Sequence, residues 1–395
     1  MKKALIVTEV FDPEDFVIND LAKHWIDSDY DIEVLTRNPS YPYGKIFRGY
    51  RNRIFQKGKY QGSKVYRILF IPGYQKSTFI KILNYLNYIF WTFWILLFIG
   101  KRYDRIFVYQ TGPLTNALTP VLLKSLFKWK ITIWTQDLWP ETVYAFGIKK
   151  TKLAHWLLSN IVGFIYKRCD IILVSCKGFI PKINKYSPLD NIHWIPNWTL
   201  VDGSIKSKAK LPGDFNFTFA GNIGKVQNLD KVVRAFSQVS NHEKKVMLNI
   251  LGDGSFLDEL KNIVSKENIC NVNFTGRLPL EDMPGYFEAS DVLIISLIDV
   301  PIYEIMLPSK FQAYLNSGRP IFSIVKGELS NLTSDFEIGL TADPNDEMDI
   351  FRTFEQFYKE PESSLKQMAL NCATLNKSEF SKPKLISSVS EIFWK

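Results

Sequence analysis

"FNFTFAGNIGKVQNLD", Phe215 to Asp230, carries the reading of the fold. Its first seven residues are a short apolar strand that runs into a glycine. Leu229, Val232, Val233 and Phe236 then follow at the i, i+3, i+4, i+7 spacing of an amphipathic helix, with its N-terminus at about Asn228. A strand, a glycine turn and a helix in succession is the element from which parallel sheets are built.

Outward from this stretch the pattern repeats. "VMLNILGDG", "NVNFTG", "DVLIISL" and "PIFSIV" supply further strands downstream. Upstream, "ALIVTEV", "DIEVLTR", "RIFVYQT", "ITIWTQD" and "IILVSC" alternate with helix-length segments, and the pattern restarts after "IHWIPNW" (Ile192 to Trp198). The expected class is therefore α/β, with two Rossmann-like doubly wound domains facing across a cleft. The domains are expected over residues 1–197 and 198–380. A last amphipathic helix at 381–395 ("SKPKLISSVSEIFWK") should pack back on the first.

Composition narrows the setting. At 395 residues, 46% hydrophobic and 23% charged, the chain is long enough for two separate cores. Cys169, Cys176, Cys270 and Cys372 follow no metal-ligand or redox spacing, which fits a reducing cytoplasm. The opening "MKKALIVTEV" reaches Glu9 too soon for a signal peptide and reads as a buried strand.

Charge is unevenly spread. Residues 1–200 hold 28 Lys and Arg against 14 Asp and Glu, and the remainder 21 against 26. Thr36 to Tyr103 contains no acidic residue, so a one-signed field there would draw an anion: nucleic acid, an anionic bilayer or a phosphorylated substrate. Inside this segment lies "ILNYLNYIFWTFWILLFIG", Ile82 to Gly100, uncharged throughout. It is long enough to span a bilayer, but Asn84, Asn87 and Thr92 interrupt it, and Tyr85, Tyr88, Trp91 and Trp94 favour the headgroup boundary. Strands on either side argue against a single crossing if they share a sheet. The reading is an interfacial helix that rests the first domain on the membrane, with a core helix as the alternative.

Three loops have the chemistry of a phosphate site. In "FAGNIGKVQNLD", Gly221 and Gly224 let the backbone approach a ligand, Asn222 and Gln227 lie alongside, and Lys225 offers a cation before a helix start. A tight strand-to-helix turn would need the same glycines. "LGDGSFLDEL" adds Gly252 and Gly254, and Gly276-Arg277 closes a strand where a nucleobase could stack. In "YEIMLPSKFQAYLNSGRPI", Pro308 and Ser309 begin a helix with Lys310 in its first turn.

In order and spacing, "NPSYPYGKIFRGYR", "QDLWPETV", "IPNW", "AGNIGKVQ" and "LPSKFQAYLNSGRPI" resemble the family-4 retaining glycosyltransferases of GT-B fold. The nearest likeness is to the branch of bacterial fucosamine (FucNAc) transferases of O-antigen and capsule assembly. The resemblance implies a UDP-sugar donor in the second domain, with Gly221, Asn222, Lys225 and Lys310 around the diphosphate and Gly276-Arg277 at the base. It implies an acceptor in the first domain, here a polyprenyl-diphosphate-linked saccharide at the cytoplasmic membrane face. No metal or other cofactor is expected, since Lys225 and Lys310 would take the place of a divalent ion, and no nucleic-acid partner is expected.

The chain also departs from the family. The E-x7-E pair of the family falls at Ala313 in its second position, with Glu304 one residue off the first. Glu304 could reach the donor sugar or merely cap the helix. Gln136 stands where a histidine is common, leaving Asp137 and Glu141 as the candidate catalytic carboxylates, with a turn aspartate as the bland reading of Asp137. "FDPEDFVIND" lacks the glycine pair that usually follows the first strand. Two other functions fit less of the chain: a GT-B-fold sugar-nucleotide epimerase, and a nucleic-acid-binding protein using the basic segment.

Overall fold

The computed structural model describes residues 2–42, 44–73, 77–145, 149–201, 209–239 and 245–395. It divides into two compact units, Met1–Pro196 with Pro383–Lys395, and Asn197–Lys382.

The first unit is built on β1 (Ala4–Thr8), β2 (Ile32–Arg37), β3 (Phe55–Tyr60), β4 (Ser63–Ile68), β5 (Arg105–Gln110), β6 (Lys130–Thr135), β7 (Ile171–Val174) and β8 (Ile192–Trp194). They form one sheet in the order β3-β4-β2-β1-β5-β6-β7-β8, parallel except for the β3–β4 hairpin. That hairpin is a departure from the sequence reading. Its outer strand "FQKGKY" is mostly exposed, and Lys57 and Lys59 along it suit a sheet edge that must not pair with another chain.

Helices cover both faces because β1, β2 and β5 are buried along almost their whole length. On one face, the Val17–Asp27 helix meets the C-terminal Lys382–Trp394 helix, where Trp25 stacks on Phe393 at 5.0 Å and donates its Nε1–H to Ser390 Oγ at 2.8 Å. Right-handed crossovers put the helices joining β4 to β5, β5 to β6 and β6 to β7 on the opposite face.

The first of those connectors, Thr78–Ile99, contains most of the long uncharged stretch. Both flanking strands belong to one sheet, so the helix begins and ends on the same side of any bilayer. By length and composition it could cross a membrane, yet the polar residues that interrupt the run tie it to its own unit. Asn84 exchanges hydrogen bonds with the backbone of Ile71 (2.7 and 2.8 Å), and Asn87 donates to Leu69 O at 2.7 Å. Tyr88, expected at a headgroup boundary, is instead buried and donates to Thr8 O at 3.0 Å, because the helix turns that side to the sheet.

The second unit holds β9 (Phe215–Ala220), β10 (Val246–Leu251), β11 (Val272–Gly276), β12 (Val292–Ser296), β13 (Ile321–Ile324) and β14 (Gly339–Thr341). They form a six-stranded parallel sheet in the order β11-β10-β9-β12-β13-β14. The Leu229–Ser237 helix buries Leu229, Val232, Val233 and Phe236, the four positions its spacing singled out. Edge-to-face rings (Phe217, Phe236, Phe322 and Phe354, 4.8–5.9 Å apart) fill the core between this helix, the Glu347–Lys359 helix and the sheet.

Candidate functional site

In the second unit the carboxyl ends of β9, β10 and β11 are joined backbone to backbone. Gly221 N–H donates to Leu251 O, Ile223 N–H to Asp253 O and Gly252 N–H to Gly276 O, each at 2.9 Å. Gly252 and Gly254 make this contact possible. A Cβ on Gly252, whose φ is +143°, would fall 1.9 Å from Gly221 O, and one on Gly254 would fall 2.2 Å from Ile223 O. Their place is thus to hold two loops together. Gly276, with φ +74°, has open space where a side chain would be, and Arg277 beside it is exposed.

Lys310 comes to the same loops from the start of the Lys310–Ser317 helix. Its Nζ donates to Gln227 Oε1 at 3.1 Å, lies 3.6 Å from the centroid of the Phe219 ring, and would be 3.3 Å from a Cβ on Gly221. The residue is half-buried, and the burial of its ammonium pushes its pKa down to about 7. Among the described residues no carboxylate pairs with it. A desolvated ammonium held by a π face and an amide oxygen has the chemistry to pair with an anion.

The helix that carries Lys310 is fixed by a residue the sequence did not single out. Tyr314, one turn on, accepts from Ala220 N–H at 2.8 Å and donates to Ala220 O at 3.3 Å, tying the helix to the end of β9. A tyrosine at i+4 from the lysine was the available signal. Ser309 makes no side-chain cap bond and is exposed at the helix start. Gly327, at φ +83°, packs against the Glu304 backbone, where a Cβ would fall 2.0 Å from Glu304 O. Glu304 is thereby held in an exposed single turn before that helix.

The other loop cation sits elsewhere. Lys225 is exposed, pairs with Glu259 at 3.3 Å and leans toward the Phe256 ring. Asn222 and Gly221 are exposed on the same loop, Gly224 is buried in it, and Asn228 ends it in a left-handed conformation (φ 54°) from which the helix starts.

The first unit also gathers polar groups at its strand ends. Asp137, just past β6, accepts from Gly112 N–H at 2.5 Å. Burial raises its pKa against the pull of that N–H and of Lys81. Glu141 lies 3.9 Å from Lys182 at the start of a short helix. Two carboxylates that sequence reasoning passed over stand nearby in the fold. Glu9, at the end of β1, pairs with Arg37 at 3.0 Å, and burial raises its pKa despite Arg37 and Lys81. Glu14 accepts from Ser40 N–H and Tyr41 N–H at 2.7 Å, joining the loop after β1 to the loop after β2. Phe11 N–H adds a third backbone donor at 3.3 Å, so one buried carboxylate organises the glycine-free loop after β1. The signal was a pair of acids inside and just beyond an apolar strand. Among the described residues no group of three or more His, Cys, Asp or Glu side chains could hold a metal ion.

Comparison with known proteins agrees with this geometry. Residues 202–371 match the family described as glycosyl transferases group 1. The chain is 24% identical over 283 residues to the probable glycosyltransferase WbjE of Pseudomonas aeruginosa, covering 68% of this chain and 70% of that protein. Among solved structures, Anabaena HepE in complex with UDP superposes with a TM-score of 0.70 at 11% identity, over 98% of each chain. The sucrose-phosphate synthase of Thermosynechococcus elongatus superposes with a TM-score of 0.74 at 14% identity, over 100% of this chain and 98% of that one. These likenesses do not favour the epimerase reading. Residues 202–371 thus match the glycosyl transferases group 1 family, in a chain that has the two-unit GT-B fold.

Proposed function

We propose that the chain is a retaining glycosyltransferase that moves a sugar from a UDP-sugar to a polyprenyl-diphosphate-linked saccharide at the cytoplasmic face of the membrane. The single observation that carries the donor half is Lys310, an enclosed ammonium with no carboxylate partner among the described residues, beside the Gly221 turn and a helix N-terminus. As the glycosidic bond loosens, negative charge collects on the departing diphosphate. A fixed cation and free N–H groups there lower the barrier, without a metal ion being required. UDP is the diphosphate bound by the similar Anabaena protein, which supports UDP over other nucleotides.

The acceptor half rests on the first unit: its acid-free basic segment, the exposed side of the Thr78–Ile99 helix, and Asp137 and Glu9 at the strand ends. Within this reading Asp137 positions the acceptor hydroxyl, and Glu304 contacts the donor sugar. An N-acetylated deoxyhexosamine such as FucNAc, transferred during O-antigen or capsule assembly, is the substrate favoured by the fucosamine-branch likeness. The test is a calorimetric titration with UDP and GDP, followed by turnover of UDP-sugars on a short lipid-diphosphate saccharide with the product's anomeric configuration read by NMR. Binding of UDP, and a product with the donor's configuration, are expected. Failure to bind any nucleotide diphosphate would sink the donor assignment.

A further inference from the structure

The apolar surface of the first unit is not confined to one helix. Three connectors share one face of its sheet: Thr78–Ile99, Leu118–Phe127 and Lys152–Tyr166. They are tied together by Thr119 Oγ1 donating to Ile89 O (3.2 Å), Trp129 Nε1–H donating to Gly100 O (3.0 Å), and Lys124 Nζ donating to Arg168 O (2.8 Å). On their outer sides stand Phe79, Ile82, Leu86, Phe90, Trp94 and Phe98 of the first helix. Leu122 and Leu126 of the second and Leu153, Trp156 and Leu157 of the third continue the surface. Exposure is large for residues of this kind: 79% for Phe98, 62% for Leu126, 68% for Leu153 and 62% for Trp156. The helices on the opposite face, Val17–Asp27 and Lys382–Trp394, contribute no exposed large apolar side chain among the described residues. Exposed apolar surface so gathered on one side marks an interaction site.

Charge identifies what covers it. None of the three helices contains an Asp or Glu. Their ends carry exposed Lys101 and Arg102, Lys128, Lys149, Lys150 and Lys152, and Lys167 and Arg168. The nearby Asp170 is already bonded to Lys124 at 2.7 Å. Apolar side chains rimmed by cations of one sign complement an anionic bilayer, with rings and leucines in the acyl boundary and ammonium groups among phosphates. Length sets the orientation. Helices of 10 and 15 residues fall short of the roughly 20 needed to span, so the face lies on the membrane plane.

We infer that the three connectors together form a bilayer-docking face, in which Leu122, Leu126, Leu153, Trp156 and Leu157 insert alongside the Thr78–Ile99 helix. The inference rests on the membrane role proposed above and extends it to two helices that role does not require.

The test uses the full chain and vesicles of phosphatidylcholine with or without phosphatidylglycerol. A Leu153→Ser/Trp156→Ser/Leu157→Ser variant and a Trp94→Ser/Phe98→Ser variant are each compared with wild type by sedimentation, with thermal unfolding as a check on folding. Each should lose about tenfold or more in partition to anionic vesicles, and wild-type binding should fall with added salt. If only the Trp94/Phe98 variant detaches, the docking face fails while the membrane reading stands. If wild type ignores anionic vesicles, both fail. A label reports independently of stability: Leu157→Cys in a Cys270→Ser background, carrying an environment-sensitive dye, should blue-shift on anionic vesicles, Cys270 being the exposed native thiol. No shift overturns the inference. So does a wild-type dimer that the Leu153/Trp156/Leu157 variant converts to monomer without change in vesicle binding, since the face would then join two copies.

Discussion

Lys310 and Lys225 read alike in the sequence and stand in different physical settings. Lys310 is enclosed and pairs with an amide oxygen and a ring, whereas Lys225 is a surface partner of Glu259. Lys310→Ala should therefore lower kcat/KM by about 10²–10³-fold, the range for loss of one leaving-group donor. Lys225→Ala should stay within about tenfold, because an exposed ion pair contributes little. Steady-state kinetics on the two variants decides. The lowered pKa of Lys310 carries its own signature. Below about 7 the free protein already holds the proton; above it, UDP must bind together with a proton. Affinity should be flat at lower pH and fall by up to about tenfold per pH unit above 7, until the pKa of the bound state is reached. Calorimetry in buffers of different ionisation enthalpy should show proton uptake at pH 8, and uptake should vanish in Lys310→Met.

At the scale of elements, the donor loops depend on glycines that touch backbone and on Tyr314. Gly252→Ala forces a Cβ against Gly221 O at a backbone angle that side chains avoid. It should lower stability by more than about 2 kcal/mol and weaken UDP binding, seen as a fall in Tm that excess UDP only partly restores. Tyr314→Phe removes the hydroxyl bonded to Ala220 and should cost about 1 kcal/mol in urea unfolding, with a larger effect on kcat than on stability. The alternating strands and helices were legible because Leu229, Val232, Val233 and Phe236, or "ALIVT" and "RIFVYQ", are selected by burial alone. β3 was not, since an edge strand of alternating lysines and glycine has no buried face to reveal it. The glycines of the donor loops were visible as a motif. Whether each meets a ligand or a neighbouring loop depends on which strands lie side by side, and "LGDG" carries no trace of its contact with Gly221. Glu9 and Glu14 were hidden for the same reason, as Arg37, Ser40 and Tyr41, which donate to them, lie more than 20 positions away.

At the scale of the molecule, the last thirteen residues belong to the first unit. Phe393 and Val389 are fully buried there, Trp25 and Phe107 pack on Phe393, and Arg105 donates to its carbonyl. Phe393→Ala should cost about 3–5 kcal/mol, the loss for a buried ring, measured as a lower urea midpoint for the first unit. The chain thus leaves the first unit once, builds the second, and comes home. In gene-level terms the second unit, the proposed donor half, is a cassette set inside a host rather than a partner appended to it. A donor swap between related enzymes should therefore succeed when residues 197–382 are exchanged as an internal block, and fail when everything after Pro196 is replaced, because that cut strips the host of its closing helix.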